Sequence, residues 1–279
     1  PNIGLGCMGM SQIAGNDIYG KADETESIKT IHRSLKLGGN FLDTADLYGP
    51  LANERLISKA IKGNRDAYII ATKFGFEIND NEELTWQFNG KKEYVKKAVE
   101  RSLKNLGTDY IDLYFSHFDD ETTPVEETLE AYETLIKAGK VRWIGASNFS
   151  AERLKEALVA SSKHNLPQYQ VYQPGYSLIE RADFETAHEQ ICKDFGLGVI
   201  SYYSLASGFL TGKYRSEADL EKSARGGGVK KYLNKRGFNI LDALDQLAAK
   251  HQTKPAAIAL AWLIQHPVIT APIASVTNL

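Results

Sequence analysis

Eight near-continuous apolar runs, each separated from the next by a segment of helical periodicity, constrain this chain more than any other feature. The runs occupy residues 3–7, 40–43, 68–72, 111–116, 141–146, 168–172, 198–203 and 268–272. A strand with one wet face alternates apolar and polar residues. These runs do not, so both of their faces must be covered, as in a parallel sheet whose crossovers are helices. The intervening segments, at 24–37, 53–61, 91–106, 126–138, 151–164, 184–195, 238–251 and 255–265, carry apolar stripes three and four residues apart: Ile28, Ile31 and Leu35 in the first, Val95, Val99, Leu103 and Leu106 in the third. Gly38-Gly39 and Gly139 stop two of them.

Eight such pairs predict an α/β fold, a (β/α)8 TIM barrel, and 279 residues suit one, since a barrel of this kind runs to about 250 residues around a single core. Neither a linker nor a low-complexity tract divides the chain. A single domain over 1–279 is expected, with a basic, glycine-rich insertion at about 210–237 and a C-terminal end that stops just after the eighth strand. The competing architecture is a doubly wound open sheet, to which Gly4-Leu5-Gly6-Cys7-Met8-Gly9 points by matching G-x-G-x-x-G. That fingerprint requires a helix opening at its third glycine, and residues 10–19 have no helical face. The segment is read instead as backbone close to a ligand, with Cys7 and Met8 as cofactor contacts.

Charge excludes several partners. Acidic and basic residues are interspersed and sum to −2, so there is no single-sign field for nucleic acid or an anionic membrane. Two distant cysteines, Cys7 and Cys192, in apolar settings read as reduced thiols. With no apolar run near the ~18 residues that span a bilayer, a cytoplasmic protein acting on a small molecule is expected. Monomer and homo-oligomer stay equally open.

Three of the apolar runs end on ionisable residues. Asp43 closes the second, Lys73 follows the third and His117 follows the fourth, while Tyr48 lies five residues past Asp43 in the same loop. In a barrel the carboxyl ends of all strands converge on one face, where active sites are built from the loops. Singly, each residue reads as a cap, a rim aromatic or a solvated end. Together, at the mouth ends of three consecutive strands, they read as a catalytic set of Asp43, Tyr48, Lys73 and His117. A lysine there could also be a Schiff-base nucleophile if it were desolvated and unpaired; a carboxylate such as Asp43 opposes that by keeping it protonated. Asp119 and Asp120 after His117 read as caps, and no metal site is expected.

The residues Asp43-Thr44-Ala45-x-x-Tyr48-Gly49, Ala71-Thr72-Lys73, Asp112-Leu113-Tyr114-x-x-His117, Ser147-Asn148-Phe149, Gln173-x-x-Tyr176 and the run from Tyr203 to Tyr214 resemble the aldo-keto reductases, in that family's order and over most of the chain. The branch it is most similar to holds bacterial enzymes and potassium-channel β-subunits. The resemblance implies reduction of an aldehyde or ketone carbonyl with NADPH, and it assigns roles. Tyr48 would be the general acid. Lys73 would ease release of its proton, since a cation lowers a phenol's pKa from near 10. Asp43 would hold Lys73, and His117 would orient the carbonyl oxygen. The channel subunits carry Asn where His117 stands, so the full set favours an enzyme over a cofactor-binding sensor with vestigial activity.

For the cofactor, the resemblance implies that Ser147, Asn148 and Gln173 bind the carboxamide and Tyr203 stacks on the nicotinamide. Ser204, Leu205, Ser207 and Gly208 would cradle the pyrophosphate, with Lys213, and Arg225 from the insertion, adding charge. Ser275 and Thr277 match the positions that take the 2′-phosphate. The segment 75–90, with Phe76, Trp86 and Phe88, is the expected loop wall of the substrate pocket.

Overall fold

The computed structural model describes residues 2–11 and 22–276. Eight parallel strands close on themselves in the order β1 (Gly4–Gly6), β10 (Ile269–Ala274), β9 (Gly198–Ser201), β8 (Val171–Gln173), β7 (Val141–Ser147), β6 (Ile111–Ser116), β3 (Ile69–Phe74), β2 (Phe41–Asp43). Around this (β/α)8 barrel run α1 (Glu24–Lys36), α2 (Ala52–Ile61), α3 (Lys92–Leu106), α4 (Val125–Lys137), α5 (Ala151–His164), α6 (Glu189–Phe195), α7 (Lys235–Lys250) and α8 (Pro255–Ile264).

The apolar runs separate into two cores by the two-residue period of a strand. Phe41, Ala71, Leu113, Phe115, Ile200 and Ile273 point inward and pack on one another in the barrel. Their neighbours Leu42, Ile70 and Tyr114 point outward, into the layer shared with α2, α3 and α4. Helix α3 shows how that layer is fed. It buries Val95, Ala98, Val99, Leu103 and Leu106 on one stripe and ends on Gly107, whose φ of 63° is left-handed and suits a residue without Cβ. Inside the barrel, Phe115 fills the space beside Gly145, where an added Cβ would collide with its ring. Truncating Phe115 to Ala would cost about 3–5 kcal/mol through the cavity left behind.

Several elements differ from the sequence reading: the strand read at 168–172 is Val171–Gln173, that read at 198–203 ends at Ser201, and the helix read at 184–195 opens with a π turn over Phe184–His188. Residues 75–90 are a hairpin, β4 (Phe76–Ile78) with β5 (Leu84–Phe88), antiparallel and separate from the barrel. The insertion is not one irregular loop but includes short 3₁₀ turns at Glu217–Lys222 and Gly226–Tyr232, which pack through Val229 and Tyr232 against Phe209 and Leu210. Helix α7 begins at Lys235, three residues before the expected start, because the Asn234 side chain accepts the Gly237 amide at 3.0 Å and caps it.

Candidate active site

Strand parity explains why the ionisable residues meet. Asp43 is two residues beyond inward-facing Phe41, Lys73 two beyond Ala71 and His117 two beyond Phe115, so each continues an inward column one layer further, at the mouth. All three are buried there.

The Lys73 ammonium has no exposed surface, and its Nζ donates to Asp43 Oδ1 at 2.6 Å and to the Thr44 carbonyl at 2.7 Å. It sits 5.4 Å from the centre of the Tyr48 ring. The second oxygen of Asp43 accepts from Gln173 Nε2 at 2.8 Å, so both sides of the carboxylate are fixed. Thr44 is fixed in turn, its hydroxyl donating to Asn53 Oδ1 at 2.7 Å while Asn53 Nδ2 donates to the Cys7 carbonyl at 2.9 Å.

His117 faces Tyr48 edge-on, with ring centres 6.0 Å apart, and stacks on Phe118 at 4.5 Å. Burial, and then the charge on Lys73, hold its imidazole well below the ordinary histidine pKa, so the ring is neutral at neutral pH. Its carbonyl accepts from Asn148 Nδ2 at 2.8 Å; Asn148 Oδ1 in turn accepts the Tyr202 hydroxyl at 2.7 Å, and Ser147 Oγ donates to the Gln173 carbonyl at 2.8 Å.

Asp43, Tyr48 and His117 line one cleft of about 480 Å³, the size of a ligand site, while Lys73 is buried and is not part of its wall. Met8, Asp43, Tyr48 and His117 line it together with Ser147, Asn148, Gln173, Tyr203, Ser204, Leu205, Ser207, Gly208, Lys213, Arg225 and Ser275. Among the expected contacts in the described residues, Phe76, Trp86 and Phe88 of segment 75–90 do not line the cleft, Phe76 instead packing on Phe118, which does, and Cys7 is absent from it as well. Cys7 is fully buried, its thiol directed at the Leu5 carbonyl, while Gly6 and Met8 on either side do line the cleft. Thr277 lies outside the described residues. Sequence reasoning missed Leu47, Phe118, Tyr202, Ser223, Ala224, Ile273 and Ala274, which also line the cleft; for Leu47, Phe118 and Tyr202 the only signal in the sequence is that each adjoins a residue that was found.

The part of the cleft around Tyr203 has an unusual backbone. Tyr203, Ala206, Ser207 and Gly208 all have positive φ, at 54°, 49°, 57° and 93°. Three of these are not glycine, and such conformations cost on the order of 1–3 kcal/mol each and gather at ligand clamps. Tyr203 is 52% exposed, with the Arg225 guanidinium 5.6 Å over its ring, and Arg225 also donates to Ser207 Oγ at 2.8 Å. A strained, small-residue turn beside Lys213 and Arg225, next to an open aromatic face, suits phosphates on one side and a flat ring on the other.

A model of the aldo/keto reductase family matches residues 2–279. The chain belongs to that family. Among curated relatives, this aldo-keto reductase is 35% identical over 283 residues to the Glycine max protein named Probable aldo-keto reductase 1, covering 99% of this chain and 77% of that one. It is 32% identical over 271 residues to aldo-keto reductase yakc of Schizosaccharomyces pombe, whose name carries NADP(+), covering 95% and 76%. Among solved structures it is similar to the glycerol dehydrogenase AKR11B4 from Gluconobacter oxydans, at a TM-score of 0.82 and 25% identity, covering 99% and 83%. Family membership makes this chain an oxidoreductase of the carbonyl–alcohol type.

Proposed function

We propose that this aldo-keto reductase reduces the carbonyl of a small aldehyde or ketone to an alcohol at the expense of NADPH, with Tyr48 donating the proton. The observation that carries this reading is the wholly buried Lys73, clamped by Asp43 and the Thr44 carbonyl and 5.4 Å from the Tyr48 ring centre. A fixed cation beside a phenol favours the phenolate and so eases proton release to an oxygen that is gaining charge. Neutral His117, edge-on to Tyr48, can donate a hydrogen bond to the same oxygen without placing a second cation beside Lys73. When bound, NADPH supplies the hydride. Ser147, Asn148 and Gln173 would hold the nicotinamide end, Tyr203 would cover its ring, and the turn from Ser204 to Gly208 with Lys213 and Arg225 would take the phosphates. Ser275, with Thr277 beyond the described residues, would adjoin the 2′-phosphate; the NADP(+) in the name of yakc supports that choice of cofactor.

Two buried free thiols, Cys7 and Cys192, agree with a reducing compartment, and cytoplasmic residence is part of the proposal. Among the described residues no helix is long and apolar enough to cross a membrane.

Tyr48→Phe tests the mechanism. The variant should bind NADPH with wild-type affinity, followed by quenching of protein fluorescence, and lose at least ~10²-fold in kcat for aldehydes. Borohydride added with a carbonyl compound should leave the mass of the protein unchanged. An adduct trapped on Lys73, together with undiminished NADPH oxidation by Tyr48→Phe, would replace this reading with Schiff-base chemistry.

A further inference from the structure

Outside the barrel wall, behind the loop that carries Tyr48, lies a buried polar cluster that the proposed chemistry does not use. Asp46, two residues before Tyr48, and Glu54 on α2 are both buried, and Arg101 of α3 reaches Asp46 with a side chain only 15% exposed. Arg101 Nη2 is 3.5 Å from Asp46 Oδ2 and donates to the Tyr94 hydroxyl at 3.1 Å, while Nη1 donates to the Ile78 carbonyl at 2.8 Å. Tyr94 Oη donates to the Phe76 carbonyl at 2.8 Å and accepts the Ile78 amide at 2.9 Å. Thus two side chains of α3 satisfy three main-chain groups of β4.

We infer that Arg101 is a positioning residue that holds the Tyr48 loop and the aromatic wall of the cleft in one arrangement, through Asp46 on one side and through Ile78 and Tyr94 on the other. The inference rests on the assignment of Tyr48 as the proton donor.

Both ends of this tie need it. The hairpin β4–β5 pairs with no barrel strand, and a two-stranded hairpin is marginal alone in water. Its apolar contacts lead directly to the site: Phe76 packs on Phe118 at 4.9 Å and Phe118 stacks on His117 at 4.5 Å. On the other side, the Asp46 amide donates to the Lys73 carbonyl at 3.1 Å and its carbonyl accepts from Leu51 at 2.8 Å, so Asp46 is the point where the Tyr48 loop is bound both to the strand of Lys73 and to α2. A guanidinium suits the junction, since its donors leave one rigid plane in several directions, whereas an ammonium on a flexible stem reaches one or two. Burial and the neighbouring Glu54 push the Asp46 carboxyl up to about 8, with Arg101 pulling the other way.

The test uses the full chain with NADPH and two aldehydes, a three-carbon aliphatic one and a bulkier aryl one that makes more use of the aromatic wall. Tyr94→Phe deletes the hydroxyl that bonds the Phe76 carbonyl and the Ile78 amide of β4 and accepts from Arg101, and should raise KM for the aryl aldehyde several-fold while leaving both constants for the short one unchanged. Asp46→Ala should lower kcat for both aldehydes by roughly tenfold, the scale of a small misplacement of a reacting group. Asp46→Asn, which keeps an acceptor toward Arg101, should restore most of it. Arg101→Leu should show both effects and Arg101→Lys should recover little. NADPH affinity should be unchanged throughout. If Arg101→Leu does not fold, the pattern of Tyr94→Phe, Asp46→Ala and Asp46→Asn decides alone. Variants that lose only thermal stability, with kcat and KM as in the wild type, would overturn the inference. If Tyr48→Phe itself retained turnover, the assignment of the proton donor would have failed instead, an outcome distinct from these.

Discussion

Asp43 and Lys73 form an ion pair of 2.6 Å between adjacent strands of the barrel, and neither side chain is more than 3% exposed. A buried pair contributes little net stability over an apolar pair of the same shape, yet removing one partner strands the other charge out of water, at a cost of about 3–5 kcal/mol. Lys73→Met should therefore lower the unfolding free energy by that order in guanidinium titration, with an unchanged m-value. Adding Asp43→Leu should recover part of the loss while activity stays absent. A Lys73→Met protein within about 1 kcal/mol of wild type would show that the pair is not desolvated as described.

His117 separates a reductase from a cofactor-binding relative. His117→Asn should keep NADPH affinity and lower kcat/KM for aldehydes by roughly 10²-fold. The pH dependence has a definite sign. The folded pKa lies below the unfolded value near 6.5, so the unfolded chain binds the extra proton as pH falls through that value, and stability is lost from there downward. Between pH 7.5 and 5.5 the wild type should lose more stability than His117→Asn. In the same interval the activity should show no limb near 6.5 attributable to this imidazole. Parallel melting curves for the two proteins would count against a neutral, buried His117.

Much of this site was legible because strand parity is written in the sequence. Asp43, Lys73 and His117 each follow an inward apolar residue by two, and that spacing alone brings them to one mouth. What was illegible depended on contacts distant in the chain. Phe76 and Ile78, with Leu84 and Phe88, do carry a strand alternation, but Asn79, Asp80 and Asn81 between them read equally well as a loop tip, and the hairpin is held by Tyr94 and Arg101 of a later helix. Arg101 itself sits among charged residues on a helix, where a sequence suggests a solvated face. Cys7 was read as a ligand contact from its place in a glycine-rich run; its side chain turns into the core while the main chain on either side faces the cleft.

Asp46 gives a second pH signature, of opposite sign. Its folded pKa of about 8 exceeds the ordinary aspartate value of 3.8, because burial and then Glu54 disfavour the carboxylate. The folded state thus holds a proton that the unfolded chain has released, and the associated stability is complete below about pH 4 and lost as pH rises through 8. Glu54 on α2, Arg101 and Tyr94 on α3 and Tyr114 on β6 are the ionisable groups around it. Asp46→Asn cannot titrate, so its melting temperature relative to wild type should rise steadily from pH 5 to pH 8.5. A constant difference across that range would mean that Asp46 is ionised in the folded protein at all these values.

The last expectation concerns the choice between NADPH and NADH. An extra phosphate on the ribose needs a local cation or a set of fixed donors. Ser275 at the cleft edge is neutral, whereas Lys213 and Arg225 bring positive charge to the same cleft. Arg225 is held over Tyr203 and by Ser207, so it is already placed before any ligand arrives, and a preordered side chain loses less entropy on binding. NADPH should therefore bind more tightly than NADH in fluorescence titrations at low salt. Arg225→Ala should weaken NADPH by about tenfold, typical of losing one charge-assisted contact. If Arg225 meets the bridging pyrophosphate, NADH weakens equally; if it meets the 2′-phosphate, NADH is unaffected and the preference disappears. Raising the salt should narrow the gap between the cofactors in the wild type, because screening acts on the extra phosphate more than on the shared part of the molecule. Equal affinity for the two cofactors at low salt would show that the charge on this side of the cleft serves the pyrophosphate alone.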